Sequence, residues 1–162
     1  MKKMKEFRKI SFIGLGLIAS SICLTLRQKD PTIKLIGYDK DKVVRNRAKK
    51  IGLCKVESNL DNAVSGSQLI ILCVPVGQML AVTQRLKKII EPGTTITDVG
   101  SVKLSVIEEI ESNIESVGGK YVPSHPIAGT ERSGPDAGYA GLFEGRWCIL
   151  TPTKKTNKKT LN

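Results

Sequence analysis

The sequence predicts an α/β fold in a single domain, with a doubly wound and mostly parallel sheet, on three observations. Short apolar runs rich in β-branched residues recur at 10–13, 33–37, 69–74 and 94–97, with two further candidates at 121–122 and 147–150. Segments with helical spacing separate them. Turn signals then punctuate the boundaries, at Asp30-Pro31, Glu91-Pro92-Gly93 and Gly118-Gly119. Strands alternating with helices mean βαβ units and a parallel sheet. A strand covered on both faces reads as an unbroken apolar run, as LIILCV does here.

The helices follow in order. Ile18, Ile22 and Leu26 recur every four residues after the first strand. Met79, Val82, Leu86, Ile89 and Ile90 fall on one helical face, and Leu104, Ile107, Ile110 and Ile114 on another, with Ser101 as a candidate cap. Pro75 is expected to open the helix after the third apolar run, where its missing N–H costs little. The 162 residues suffice for one core and are too few for two. The chain divides into a basic arm at 1–8, a domain at 9–152 and a polar, lysine-rich tail at 153–162, which has the composition of a frayed end.

Charge and composition exclude several classes. The net charge of +11 sits mostly at the ends, which carry +8 of it: five basic side chains against Glu6 in residues 1–9, and four lysines in 154–159. Charged ends are usually solvated tails, and aromatic residues at 4% are too sparse to stack bases, so no nucleic-acid partner is expected. The opening KKMKEFRK followed by an apolar run resembles a signal peptide, but the run ends in Arg27 and Lys29 without a small-x-small cleavage site. No other stretch approaches the ~20 apolar residues of a membrane span, so a cytoplasmic protein is expected. Cys23, Cys54, Cys73 and Cys148 are scattered and His125 is the only histidine. Reduced thiols and no metal site follow.

Directly after the first strand comes Gly14-Leu15-Gly16-Leu17-Ile18-Ala19, a G-x-G-x-x-A pattern. Gly14 permits the tight turn, Gly16 lets the backbone approach a pyrophosphate, and Ala19 is small enough for the helix to pack on the strand. The helix opening at Leu17 and Ile18 turns its unpaired N–H groups toward the phosphates. Asp39 ends the second strand 23 residues after Gly16, where a carboxylate accepts hydrogen bonds from ribose hydroxyls. Its charge opposes a 2′-phosphate, so NAD is the expected cofactor, with Lys40, Lys42 and Arg45 nearby as a counterweight. Val74 and Pro75, at another strand end, face the crevice where such cofactors lie. This is the Rossmann pattern; the alternative makes the glycines an ordinary strand–helix turn and Asp39 a helix cap.

Two later strand ends are rich in polar groups: Asp98-Val99-Gly100-Ser101-Val102-Lys103, and 124–131, reading SHPIAGTE. Parallel strands place both at the edge that holds the glycine loop. His125 is a candidate proton acceptor from a substrate hydroxyl, since its reference pKa of ~6.5 suits the task. Ser101 could orient that histidine or the substrate oxygen. A helix cap for Ser101 and a turn residue for His125 are the bland alternatives.

These segments resemble a known family. GLGLIASS, GYDKD, ILCVPV, DVGSVK and SHPIAGTERSG followed by LFEGRWCILTP are similar to the NAD-binding domain of prephenate dehydrogenase and its arogenate-using relatives. The resemblance runs from about residue 9 to residue 152, and SHPIAGTE with LFEG is its most specific part. It implies oxidative decarboxylation of prephenate to 4-hydroxyphenylpyruvate in tyrosine biosynthesis, with NAD taking the hydride. It implies that His125 contacts the substrate's ring hydroxyl, that Ser101 assists, and that Glu131 stands on the substrate side; Lys103, read from the DVGSVK stretch itself, is a candidate contact for a substrate carboxylate. Ala19 replaces the family's usual glycine. The resemblance also implies a C-terminal helical domain, which the residues after Pro152 are too few to form. A natural truncation, a fragment and half of a split enzyme all stay open, and so does self-association into a homo-oligomer. Two other functions compete: a β-hydroxyacid-type dehydrogenase, which leaves SHPIAGTE unexplained, and a nucleotide-binding module without turnover.

Overall fold

A computed structural model describes residues 7–102 and 104–161. Six parallel strands form one sheet: β1 (Lys9–Ile13), β2 (Lys34–Tyr38), β3 (Lys55–Val56), β4 (Leu69–Leu72), β5 (Thr95–Asp98) and β6 (Lys120–Val122). Their spatial order is β3-β2-β1-β4-β5-β6. The chain therefore winds outward one way from β1, returns, and winds the other way from β4. Between β1 and β4 lies the switch point at which such sheets open a crevice for ligands. The expected fold is the fold found.

Side-chain alternation along the central strands feeds two cores. Ile10 and Phe12 of β1 and Ile71 of β4 face one side, with Ala19, Cys23 and Ala48. These last three belong to α1 (Leu17–Lys29) and α2 (Lys42–Lys50). Ile13, Ile70 and Leu72 face the other side, with Leu60, Met79, Leu86 and Ile110. They pack under α3 (Leu60–Val64), α4 (Val76–Leu86) and α5 (Leu104–Glu115). Ser11 is a hydroxyl at the centre of this sandwich, fully buried. It is satisfied there: its Oγ donates to the Ala63 carbonyl at 2.6 Å and lies 2.6 Å from Ser67 Oγ.

Several elements depart from the sequence reading. Residues 124–126, expected as a polar loop, form strand β7 (Ser124–Pro126), which pairs antiparallel with β8 (Cys148–Leu150) in a separate two-stranded sheet. The candidate strand at 147–150 thus exists, outside the main sheet. Helix α4 ends at Leu86, and Ile89 and Ile90 reach the core from the turn beyond it; Glu91 precedes Pro92, which disfavours helical backbone there. Pro75 caps α4 rather than opening it. No apolar periodicity announces α2, because only Ala48 among its nine residues is buried. Instead Asp41 caps it, accepting from the Val43 N–H at 2.7 Å. The segment after Pro152 makes contacts of its own: Thr156 is buried, and Thr153 Oγ1 donates to Glu111. Among the described residues no helix is long and apolar enough to cross a membrane.

Candidate functional site

The glycine loop leaves β1 at Gly14 with φ +93°. A Cβ there would stand 2.7 Å from the Cys73 carbonyl oxygen, so conformation and space both demand glycine. Gly16 is different. It caps α1 with φ −82° and no side-chain cap, and nothing lies within 4 Å of where its Cβ would be. The first helical bond runs from the Ser20 N–H to the Gly16 carbonyl at 3.0 Å. The N–H groups of the turn containing Leu17 and Ile18 therefore have no helical acceptor, and the helix dipole favours an anion beside them. Ala19 is fully buried against the sheet.

Asp39 is fixed in place by backbone. Its Oδ2 accepts from the Leu15 N–H and its Oδ1 from the Asp41 N–H, each at 2.9 Å. A carboxylate oxygen accepts more than one hydrogen bond, so both still suit a sugar hydroxyl. Arg45, the nearby cation, donates to the carbonyls of Asp39 (2.6 Å) and Lys40 (2.9 Å), and its guanidinium lies 5.9 Å over the Tyr38 ring. A cavity of about 290 Å³ joins Gly14, Gly16, Tyr38, Asp39, Val74 and Pro75. Gln78 and Val82 of α4 also line it; the sequence marked α4 as core and did not mark these two. These parts fit a dinucleotide: a free helix N-terminus, an uncovered glycine and an anchored acid.

A second cavity, of about 400 Å³, opens beside β7 and is lined by His125, Ile127, Gly129, Tyr139, Leu142 and Arg146. His125 is half-buried, and its Nδ1 is a buried polar atom without a hydrogen-bond partner among the described residues. Ser101 and Glu131 are exposed and line neither cavity. Lys103 lies outside the described residues. Tyr139 and Arg146 were missed as site residues, although Arg146 belongs to the LFEGRW motif. Only the fold brings them to His125.

The segment after β7 is strapped to the glycine-loop helix. A short 3-10 turn, Pro135–Ala137, leads to Gly138, where a Cβ would stand 2.4 Å from Ser20 Cβ and 2.9 Å from the Ser21 nitrogen. The Tyr139 N–H donates to Ser21 Oγ at 3.2 Å, and Thr25 Oγ1 donates to the Ala140 carbonyl at 2.7 Å. Arg47 of α2 holds Asp136 through Nε at 2.8 and 2.7 Å and through Nη2. Tyr139 and Leu142 are thus carried on α1, whose N-terminus faces the first cavity.

The four cysteines are free thiols. Burial, and after it the charge of Asp98, pushes the Cys73 thiol up, so it serves as a small core hydrophobe.

Glycine turn, anchored acid and 3-2-1-4-5-6 strand order define a Rossmann-class nucleotide-binding domain. The chain belongs to the prephenate dehydrogenase family: the family described as "Prephenate dehydrogenase, nucleotide-binding domain" matches residues 22–162. The glycine loop precedes that span, and its assignment rests on its own geometry. Among curated relatives, the cyclohexadienyl dehydrogenase of Zymomonas mobilis is 41% identical over 154 residues, 94% of this chain and 52% of that protein. The crystal structure of prephenate dehydrogenase from A. aeolicus in complex with hydroxyphenyl propionate and NAD+ superposes with a TM-score of 0.88 at 30% identity, covering 98% of this chain and 55% of that one. Synechocystis arogenate dehydrogenase gives 0.85 at 29%, covering 94% and 53%. The chain spans about half the length of the curated relatives it matches.

Proposed function

We propose that this chain binds NAD and acts in the NAD-dependent oxidative decarboxylation of prephenate, or of arogenate, in tyrosine biosynthesis. The observation that carries the reading is a pair of cavities connected through α1. One holds Gly14, Gly16 and Asp39 at the cap of α1; the other holds His125 and Tyr139, whose N–H donates to Ser21 of α1. NAD, when bound, supplies the hydride acceptor. Asp39 receives the ribose hydroxyls, and its charge opposes a 2′-phosphate. Val74 and Pro75 wall the crevice, while Leu17, Ile18 and Ala19 bring the helix N-terminus against the pyrophosphate. His125 accepts the proton of the substrate's ring hydroxyl as hydride leaves the same carbon. The ketone so formed drives loss of CO₂, which makes the ring aromatic. Arg146 is a cation placed for a substrate carboxylate. By resemblance, Ser101 assists and Glu131 stands on the substrate side; Lys103 is a candidate contact for a substrate carboxylate.

Four free thiols support a reducing, cytoplasmic setting. Exposed Trp147, Ile149 and Leu150 support association with a second copy or a helical domain. Sedimentation across a concentration series tests the first; a monomer throughout overturns it.

The functional test is NADH formation from NAD with prephenate, and separately with arogenate, in parent and His125→Asn proteins. The expected loss in the variant is about a hundredfold or more in turnover, with NAD affinity within about twofold. Equal turnover in the two proteins removes His125 from the chemistry. No turnover in the parent, with NAD still raising the melting temperature, makes the chain a nucleotide-binding module.

A further inference from the structure

We infer that Asp98 is a positioning residue whose one buried carboxylate sets the backbone immediately ahead of both Ser101 and His125. The roles of those two residues rest on the function proposed above; the clamp itself rests on geometry. Asp98 ends β5 and is fully buried. Its Oδ2 accepts from the Gly100 N–H at 2.9 Å, and Gly100 directly precedes Ser101. Its Oδ1 accepts from the Ser124 N–H at 3.3 Å, and Ser124 directly precedes His125. The Tyr121 hydroxyl, from the neighbouring strand β6, donates to the same Oδ1 at 2.8 Å. The backbone of Asp98 takes part as well, its carbonyl accepting from Ser124 Oγ at 2.7 Å.

A carboxylate out of water is costly unless donors surround it, and an apolar side chain would fill a strand end at less cost. What the carboxylate adds is direction. Two chain segments far apart in sequence converge on two oxygens of one planar group, so their relative position is set within hydrogen-bond tolerance. The Gly100 side is closed against alternatives: a Cβ there would meet Asp98 Oδ2 at 3.0 Å and Met79 Cε at 3.2 Å. Burial, and then the Asp98 charge, pushes the Tyr121 hydroxyl far up, so it remains a donor at every physiological pH. Misplacing a reacting group by about 1 Å costs on the order of a hundredfold in rate, which sets the upper scale for a loosened clamp.

The test compares Asp98→Asn, Tyr121→Phe and Leu86→Val with the parent. Asparagine keeps the shape but offers one acceptor oxygen where the donors converge on two. His125 is the only histidine, so its imidazole NMR signals are assigned without ambiguity. In Asp98→Asn the Gly100 amide and His125 imidazole signals should move, turnover should fall roughly tenfold or more, and KM and NAD affinity should stay within about twofold. Tyr121→Phe should move the same signals less, and it carries the test if Asp98→Asn does not fold. Leu86→Val weakens the fully buried core under α4 and should lower the melting temperature without moving the imidazole. Signals and turnover unchanged in Asp98→Asn and Tyr121→Phe overturn the inference, as does an equal displacement in Leu86→Val. If the parent has no turnover while Asp98→Asn still moves both signals, the functional reading fails and the clamp stands.

Discussion

Gly14 and Gly16 stand two residues apart and answer to different physics. Gly14 has a left-handed φ and backbone atoms where a Cβ would go. Gly14→Ala should cost at least about 2 kcal/mol, or roughly 4–8 °C in melting temperature for a chain of this size. Gly16 has ordinary φ and open space. Gly16→Ala should lower the melting temperature far less than Gly14→Ala, by no more than the small loss of a glycine cap, and weaken NAD binding, because the methyl occupies the side from which a pyrophosphate approaches. A calorimetric melt with a parallel NAD titration separates the two; equal melting losses would show that Gly16 serves the fold instead. At Asp39, substitution by asparagine removes the charge and keeps much of the shape. NAD affinity should fall roughly tenfold and the NADP-to-NAD affinity ratio should rise. An unchanged ratio would place cofactor choice elsewhere.

At the scale of elements, the strap from Pro135 to Leu142 is what ties the His125 cavity to α1. Its outer anchor is the pair of Arg47 and Asp136, both half-exposed. The hydrogen bond from Arg47 holds the Asp136 carboxyl below the usual carboxylate range, opposed by desolvation and aided to a lesser degree by the Arg47 charge. The folded value lies below the unfolded one, so this contribution is complete above the unfolded value of ~3.9 and disappears as pH falls through the lowered one. Being exposed, the pair should weigh little on global stability. Arg47→Ala should therefore return the Asp136 carboxyl to its ordinary titration, followed by carbon NMR, and shift the Tyr139 amide signal, with little change in melting temperature. A Tyr139 amide indifferent to both acid and Arg47→Ala would show that the contacts to Ser20, Ser21 and Thr25 of α1 hold the strap without the ion pair. The inner contact is steric: Gly138 sits on Ser20, and any side chain there should lift the strap.

At the scale of the molecule, ligand binding and folding are linked because the cofactor cavity exists only where β1, β2 and β4 end together. NAD at a hundred times its Kd should stabilise the fold by about 2.7 kcal/mol, raising the melting temperature roughly 5–10 °C. No shift at saturating NAD, with NADP effective, would reverse the reading of Asp39. The sheet is central and covered on both faces, so the strand runs of the sequence were legible as unbroken apolar stretches. The short strands and polar helices at its margins were not, since α2 buries one residue and β3 has only two.

The sequence by itself determined the βαβ order, the glycine loop with its acid at Asp39, and the family, because each is written in local spacing or in contiguous motifs such as SHPIAGTE. Tertiary structure decided what depends on segments far apart in the chain. It made a strand of 124–126 by pairing it with 148–150, strapped 135–142 onto α1, and placed Arg146 and Tyr139 beside His125. It also turned Asp98, which read as one polar residue in a loop, into a buried acceptor shared by the backbone before Ser101 and before His125. Hydrogen bonds across such separations leave no period in the sequence, since only the packing of the sheet edge sets which groups meet.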